Sequence, residues 1–118
     1  MEKKRILLVD DEEGIQLLYR EEFEEEGYEV ISALNGEEAL DKFTADPPDL
    51  VILDINMPGM NGIEVLRRMK EINPDLPVIL SSAYQEYKQD FGSWASEEYI
   101  VKSANLDELK NAIRKYLD

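Results

Sequence analysis

Acidic residues are crowded directly behind the first apolar run of the chain, in the stretch LLVDDEEG at residues 7–14. Asp10 and Asp11 begin this acidic run, and carboxylates so close together repel one another unless a cation intervenes. The chain contains neither Cys nor His, so a metal held here must be bound by oxygen, which favours Mg2+ or Ca2+ over Zn2+. The alternative is that these acids are only the solvated start of a helix.

Three further polar residues follow apolar runs later in the chain. Asp54 follows LVIL, Ser82 ends VILSS, and Lys102 follows EYIV. Each alone has an ordinary explanation, as a helix cap, a turn residue or a surface charge. If the runs are neighbouring strands, three carboxylates, a hydroxyl and an ammonium converge. A hard ion such as Mg2+ would then relieve the repulsion, keep some waters and leave room for a phosphoryl oxygen.

Five short apolar runs alternate with helical patterns and predict five strands: RILLVD, EVISA, LVILD, VILSSA and EYIVK. Nearly continuous apolar runs are typical of strands covered on both faces, and a repeated βα order makes them parallel with right-handed crossovers. The pattern therefore predicts an α/β, doubly wound fold with a five-stranded parallel sheet and five helices. Such folds bind ligands at the carboxyl ends of their strands.

Helix boundaries are predicted from capping residues. Asn35 with Glu38, and Asn105 with Glu108, have the spacing of a capping box with Asn in the Ser/Thr place. Gly27 and the pair at 47–48, both prolines, end the first two helices.

The helical patterns differ in strength. The first places Ile15, Leu18, Tyr19 and Phe23 on one buried stripe. The segment AYQEYKQDFGSWAS, residues 83–96, has weak periodicity and an internal glycine. The fourth of the five helices is therefore predicted to be short or irregular.

Composition limits the classes of protein that the chain can represent. With 118 residues and 43% hydrophobic content, it has the size of one domain, residues 1–118, around one core. Its formal net charge of −14 disfavours direct nucleic-acid binding. The apolar run in MEKKRILLVD is far too short for a signal peptide or a membrane span. We therefore expect a cytoplasmic protein without a membrane or nucleic-acid partner.

Four motifs, taken in order and at their spacing, resemble the receiver domain of two-component response regulators over essentially the whole chain: LLVDDE, LVILDINMPGMNGIEVL, PVILSSA and YIVK. The resemblance implies a flavodoxin-like fold with strand order 2-1-3-4-5. It also implies Mg2+-dependent acceptance of a phosphoryl group from a sensor histidine kinase, a phosphotransfer protein or a small phosphodonor. Such a domain catalyses only the transfer and loss of its own phosphoryl group.

The same resemblance implies roles for individual residues of the site. Asp54 is the phosphoacceptor, Asp10 and Asp11 hold Mg2+ together with Asp54, and the backbone carbonyl of Asn56 completes the protein's share of the coordination.

Three more residues receive roles in switching. Ser82 contacts a phosphoryl oxygen, Lys102 pairs with the phosphoryl group, and Tyr99 is the aromatic residue that shifts inward when Ser82 moves. A downstream protein would read the change through the surface of residues 83–110. Lys102 is followed by Ser103, where the family usually has a proline joined through a cis peptide.

Three other classes of protein compete with this interpretation. A flavin-binding module of the flavodoxin type shares the architecture, but DDEEG would repel its phosphate. A phosphatase with an aspartate nucleophile would have a D-x-D spacing after the first strand, which VDDEE lacks. The third alternative is a degenerate receiver that binds proteins without being phosphorylated, and the Lys102–Ser103 departure supports it.

Overall fold

A parallel five-stranded sheet forms the centre of the protein in the computed structural model, which describes residues 3–83, 96–103 and 105–118. Its strands are β1 (Arg5–Val9), β2 (Glu29–Ala33), β3 (Leu50–Leu53), β4 (Val78–Ser82) and β5 (Glu98–Val101). They lie in the order β2-β1-β3-β4-β5, and all neighbours are parallel. The predicted fold class and strand order are confirmed.

Four helices lie in the described ranges: α1 (Glu13–Glu25), α2 (Gly36–Ala45), α3 (Gly62–Ile72) and α4 (Asp107–Leu117). None of the helices in these ranges is long and apolar enough to cross a membrane. The short or irregular helix predicted within residues 83–96 falls mainly on 84–95, which lie outside the described residues.

Both faces of the sheet are covered by helices. Along β1, Leu7 and Val9 pack into the layer formed with α2 and α3, whereas Ile6 and Leu8 pack into the layer formed with α1 and α4. This double coverage explains why the central strands carry runs of consecutive apolar residues, as in LVIL of β3, rather than apolar residues at alternate positions.

One residue of the predicted α1 stripe is misplaced. Tyr19 and Phe23 are buried as predicted and Ile15 is half-buried, but Leu18 is 47% exposed. The inward position is taken instead by Gln16, which shares a helix face with Tyr19 and Phe23 at a spacing of three and four residues. The burial of Leu18 was therefore predicted wrongly.

Asparagine caps begin two of the helices. Asn35 Oδ1 accepts a hydrogen bond from Glu38 N at 2.8 Å, which confirms the cap of α2. The Glu38 carboxylate reaches back to Leu34 N at 2.6 Å, one residue earlier than a capping box requires. Asn61 caps α3 in the same way by accepting from Glu64 N at 3.0 Å, and this cap was not predicted.

The cap predicted at Asn105 is wrong. Helix α4 begins at Asp107 with Leu106 as its N-cap residue. Asn105 Oδ1 accepts from Asp107 N at 2.8 Å, two residues on, and so forms a turn that precedes the helix.

The two predicted helix ends are confirmed. Helix α1 ends at Glu25, and Gly27 follows in the left-handed region with φ 97°, where a glycine is favoured. Helix α2 ends at Ala45, before the prolines at 47 and 48.

Candidate functional site

Two aspartates lie side by side at the carboxyl edge of the sheet, because β1 and β3 are neighbours and an aspartate follows each strand directly. Asp10 N donates to Ala33 O at 3.1 Å, and Asp54 N donates to Val9 O at 3.0 Å. The hydrogen-bonded ladder thus continues one residue beyond both strands. These main-chain bonds fix where both carboxylates leave the sheet.

Three carboxylates meet at this edge. Oxygens of Asp10, Asp11 and Asp54 all lie within 4.8 Å of one another. Asp10 and Asp54 are buried, at 2% and 5% exposure, while Asp11 is exposed. An all-oxygen donor set that is open on one side fits Mg2+, which keeps several of its waters. The backbone carbonyl of Asn56, in the exposed connection after β3, stays a predicted ligand.

Lys102 places its ammonium against two of these carboxylates. Its Nζ lies 2.6 Å from Asp10 Oδ2 and 3.6 Å from Asp54 Oδ1. Burial alone would lower the pKa of Lys102, but its hydrogen bond to Asp10 and the charges of both aspartates raise that pKa above its ordinary value. Lys102 therefore remains a cation at neutral pH.

Opposing interactions act on the pKa of the Asp54 carboxyl group. Burial, the largest cause, and the charges of Asp10 and Asp11 raise the pKa of Asp54, Lys102 lowers it, and the net value is about 6. In the metal-free protein the Asp54 carboxyl therefore takes up a proton at mildly acidic pH, where an ordinary aspartate is still ionised. A bound divalent cation would favour the carboxylate form.

Asp10 is held at all four of its polar atoms. Besides its amide, its Oδ1 accepts from Glu12 N at 3.0 Å, its Oδ2 accepts from Lys102, and its carbonyl accepts from Gln16 Nε2 at 3.0 Å. Gln16 was not among the predicted site residues. The only sequence signal for its buried position is that Gln16 stands at helical spacing from Tyr19 and Phe23.

Ser82 lies on β4, the strand next to the one that ends before Asp54, and Tyr99 lies on β5, one strand further from Asp54. Ser82 is fully buried at the end of β4, and its carbonyl accepts from Lys102 N at 2.7 Å. Tyr99 is buried in β5 opposite Leu80, in the apolar layer shared with α2 and α3. Ser82 thus stands at the same sheet edge as Lys102, and Tyr99 lies below that edge. Their switching roles stay predictions.

The connection from β3 to α3 requires glycine at the helix start. Gly62 N donates to Ile55 O at 2.8 Å, and a Cβ at Gly62 would overlap the Asp54 carbonyl oxygen and lie 2.7 Å from Ile55 Cα. Gly59, in the same connection, has φ 79°. The helix start therefore packs directly against the main chain of Asp54.

The peptide after Lys102 is trans, as are all peptide bonds in the described part of the chain. The cis peptide that the resemblance associates with a proline at this place is therefore not formed by Lys102 and Ser103.

The fold and the cluster together define a doubly wound α/β protein with a lysine-flanked, acidic cation site at its sheet edge. Residues 6–114 match the family model described as the response regulator receiver domain. The chain belongs to the family of response regulator receiver domains.

Individual relatives agree with this assignment. The chain is 43% identical to sporulation initiation phosphotransferase F of Bacillus subtilis (strain 168), over 99% of this chain and 96% of that protein. It is 54% identical to the response regulator TrrA of Thermotoga maritima, solved in complex with Mg2+-BeF, with a TM-score of 0.94 over 97% of this chain and 99% of that one. A complex of TrrA with the histidine kinase ThkA matches with 53% identity and a TM-score of 0.92, over 98% and 99% of the two chains.

Proposed function

We propose that this chain accepts a phosphoryl group on Asp54 in a Mg2+-dependent reaction. The donor is a sensor histidine kinase, a phosphotransfer protein or a small phosphodonor. The observation that carries this proposal is the meeting of three carboxylates within 4.8 Å, with the Lys102 ammonium against two of them. The Mg2+-BeF and kinase complexes of the relative TrrA support it.

The reaction is a substitution at phosphorus. A carboxylate oxygen of Asp54 forms the new bond to phosphorus, and the bond from phosphorus to the donor's leaving atom breaks with its electron pair. Lys102 provides positive charge beside the phosphoryl oxygens, while Asp10 and Asp11 hold the ion. Mg2+, when bound, supplies further neutralisation of phosphoryl charge.

Asp54 suits the role of nucleophile better than Asp10 does. Both oxygens of the Asp10 carboxylate accept short hydrogen bonds, from Glu12 N at 3.0 Å and from Lys102 at 2.6 Å. The Asp54 carboxylate meets the same ammonium only at 3.6 Å. When one of its oxygens forms a covalent bond, Asp54 therefore loses weaker polar contacts than Asp10 would lose.

We also propose that the whole domain, residues 1–118, acts in signalling in the cytoplasm. Ser82 would move toward the phosphoryl group and Tyr99 would follow, which changes the 83–110 surface for a downstream protein. Residues 84–95 and 104 of that surface lie outside the described residues, and with them most of the fourth of the five predicted helices. The domain would turn over only its own phosphoryl group, without binding nucleic acid or a membrane.

The test is incubation with acetyl phosphate and Mg2+, followed by intact mass. We expect the parent to gain one phosphoryl group and Asp54→Asn, which keeps the shape but removes the nucleophile, to gain none. Asp41→Asn, an exposed acid on α2, is the matched control and should be labelled like the parent, whereas EDTA should abolish labelling. Labelling of Asp54→Asn at the parent's rate would move the acceptor elsewhere. A parent that is never labelled would favour the degenerate receiver.

A further inference from the structure

A buried side-chain amide lies directly behind the acidic pair. Gln16, on the first turn of α1, is 7% exposed. Its Nε2 lies 3.1 Å from Leu8 O, 3.0 Å from Asp10 O and 2.9 Å from Ala33 O. One side chain thus ties the ends of β1 and β2 to the helix that follows.

The orientation of this amide is determined by its surroundings. All three neighbours of Nε2 are carbonyl oxygens, which only accept hydrogen bonds. A flipped amide would place its own oxygen against three acceptors, so the two N–H groups of Gln16 must face them. The Gln16 Oε1 is buried without a hydrogen-bond partner in the described part of the protein, so Nε2 makes the hydrogen bonds that orient this amide.

One of the three carbonyls belongs to the peptide that joins the two candidate cation ligands. The Asp10 carbonyl and the Asp11 amide are parts of a single planar unit, so a bond to that carbonyl fixes how the plane is turned. The turn of this plane decides where the exposed carboxylate of Asp11 lies relative to the buried carboxylates of Asp10 and Asp54. The hydrogen bonds of Gln16 Nε2 go to main-chain carbonyls and to none of these carboxylates, so Gln16 acts through the main chain.

We propose that Gln16 is a positioning residue for the cation site: its amide fixes the peptide between Asp10 and Asp11 and thereby sets the affinity for Mg2+. This inference rests on the proposed Mg2+-dependent function. Residues that orient metal ligands through hydrogen bonds typically change metal affinity by about 10- to 100-fold when they are replaced.

The test is Mg2+ binding by isothermal titration calorimetry with two matched variants. Gln16→Met keeps the volume and removes the donor, and we expect its Kd for Mg2+ to rise about tenfold. Arg20→Met is the control, because Arg20 lies on the same helix and its Nη2 donates to Val30 O of β2 at 3.1 Å. It removes a comparable tie between α1 and β2 away from the acidic pair, so its Kd should stay at the parent's value.

Two results would overturn the proposal. One is a Gln16→Met protein that binds Mg2+ as tightly as the parent, and the other is an equal loss in both variants, which would indicate general loosening of α1. If Gln16→Met fails to fold, the proposal is tested on the parent protein by NMR. The side-chain amide resonances of Gln16 should shift in 1H–15N spectra as Mg2+ is added, and resonances that stay fixed would overturn the proposal.

The proposed function fails separately from this inference. A parent that binds Mg2+ but is never labelled by acetyl phosphate would refute phosphoryl acceptance, and the Kd comparison would still decide the role of Gln16. A parent that binds no Mg2+ would overturn both.

Discussion

Asp54 is a buried carboxyl group whose pKa lies above the ordinary aspartate value in the metal-free protein. Its carboxylate lies within 4.8 Å of two others, and the Lys102 ammonium is 3.6 Å away. Burial and the neighbouring charges together raise its pKa from 3.8 to about 6. The metal-free protein should therefore respond to pH through this residue.

We expect the contribution of Asp54 to the free energy of unfolding of the metal-free protein to fall as pH rises from about 4 to about 7. Between pH 3.8 and about 6 the folded Asp54 binds a proton that the unfolded chain has released, so rising pH favours unfolding. Each pKa unit corresponds to about 1.4 kcal/mol, so the loss attributable to Asp54 is on the order of 2 to 3 kcal/mol.

Urea unfolding in EDTA, with Asp54→Asn as the reference, measures this loss. Other carboxylates contribute to both proteins and cancel, so the variant should gain stability relative to the parent as pH rises. A difference between the two proteins that is the same at both ends of the pH range would contradict the raised pKa.

Lys102→Met should separate ion binding from phosphoryl transfer. Removing an ammonium 2.6 Å from Asp10 leaves the carboxylates more negative, so Mg2+ should bind more tightly. Labelling by acetyl phosphate at saturating Mg2+ should slow by roughly 100-fold, because a cation beside the transferring group is lost. Calorimetry and the labelling rate are the two measurements.

The control for this change is Lys42→Met. Lys42 is an exposed lysine on α2 whose Nζ donates to Ser32 O at 2.5 Å. We expect neither Mg2+ affinity nor labelling rate to change in that variant. A Lys102→Met protein that is labelled at the parent's rate would show that the ammonium takes no part in transfer.

The positions of Asp10, Asp54 and Lys102 could be predicted from sequence, because each follows an apolar run and parallel strands bring their carboxyl ends to one edge. Gln16 could not be predicted in this way. Hydrophobic periodicity treats a polar side chain as solvent-facing, and only the backbone carbonyls of β1 and β2 explain why an amide is buried there.

At the scale of elements, the start of α3 is built against the site. Gly62 approaches the main chain of Asp54 and Ile55 so closely that any Cβ displaces backbone rather than a flexible side chain. The position of Asp54 and the start of α3 are therefore mechanically linked.

We expect Gly62→Ala to lower the free energy of unfolding by about 1 to 3 kcal/mol, as overpacking does, and to slow labelling, because the main chain of Asp54 must move. Chemical denaturation and the acetyl phosphate assay measure the two effects.

Gly14→Ala is the matched control for this substitution. Nothing lies within 4 Å of a Cβ at Gly14, in the first turn of α1, and alanine favours a helix by up to about 1 kcal/mol over glycine. It should leave labelling intact and not lower stability. A Gly62→Ala protein that behaves like Gly14→Ala would rule out the close packing at α3.

Helix caps show where local sequence rules suffice and where they fail. Asn61 and Glu64 have the same spacing as Asn35 and Glu38, and both asparagines cap their helices. The cap at Asn61 was therefore as predictable as the cap at Asn35. Asn105 has the spacing too, but its side chain accepts from the amide two residues on. Asn can satisfy either amide, and the path of the chain from β5 into α4 decides between them.

At the scale of the whole molecule, a net charge of −14 makes a divalent cation a stabilising ligand. Mg2+ that binds only the folded chain adds about 2.7 kcal/mol when its concentration is a hundred times Kd. We expect the melting temperature to rise in Mg2+ relative to EDTA. The rise should exceed that in KCl at the same ionic strength, which screens charge without filling the site.

Asp11→Ala should abolish the Mg2+-specific part of this rise, because it removes the exposed ligand of the cluster. Asp41→Ala removes the same charge from α2 and should keep it. An undiminished magnesium response in Asp11→Ala would place the ion elsewhere on the protein.

The main-chain hydrogen bonds from Asp10 N to Ala33 O and from Asp54 N to Val9 O also limit how often these two amides are exposed to solvent. Both amides directly follow central strands that are covered on either face, and both residues are buried, so we expect neither amide to reach solvent through fraying of a loop. Hydrogen exchange at these two amides should proceed only by global unfolding, at the free energy measured by denaturation. Exchange that is much faster there than in the middle of β1 would contradict this. We therefore expect the main chain beneath the two carboxylates to stay closed until the whole molecule unfolds, even where the surrounding surface moves.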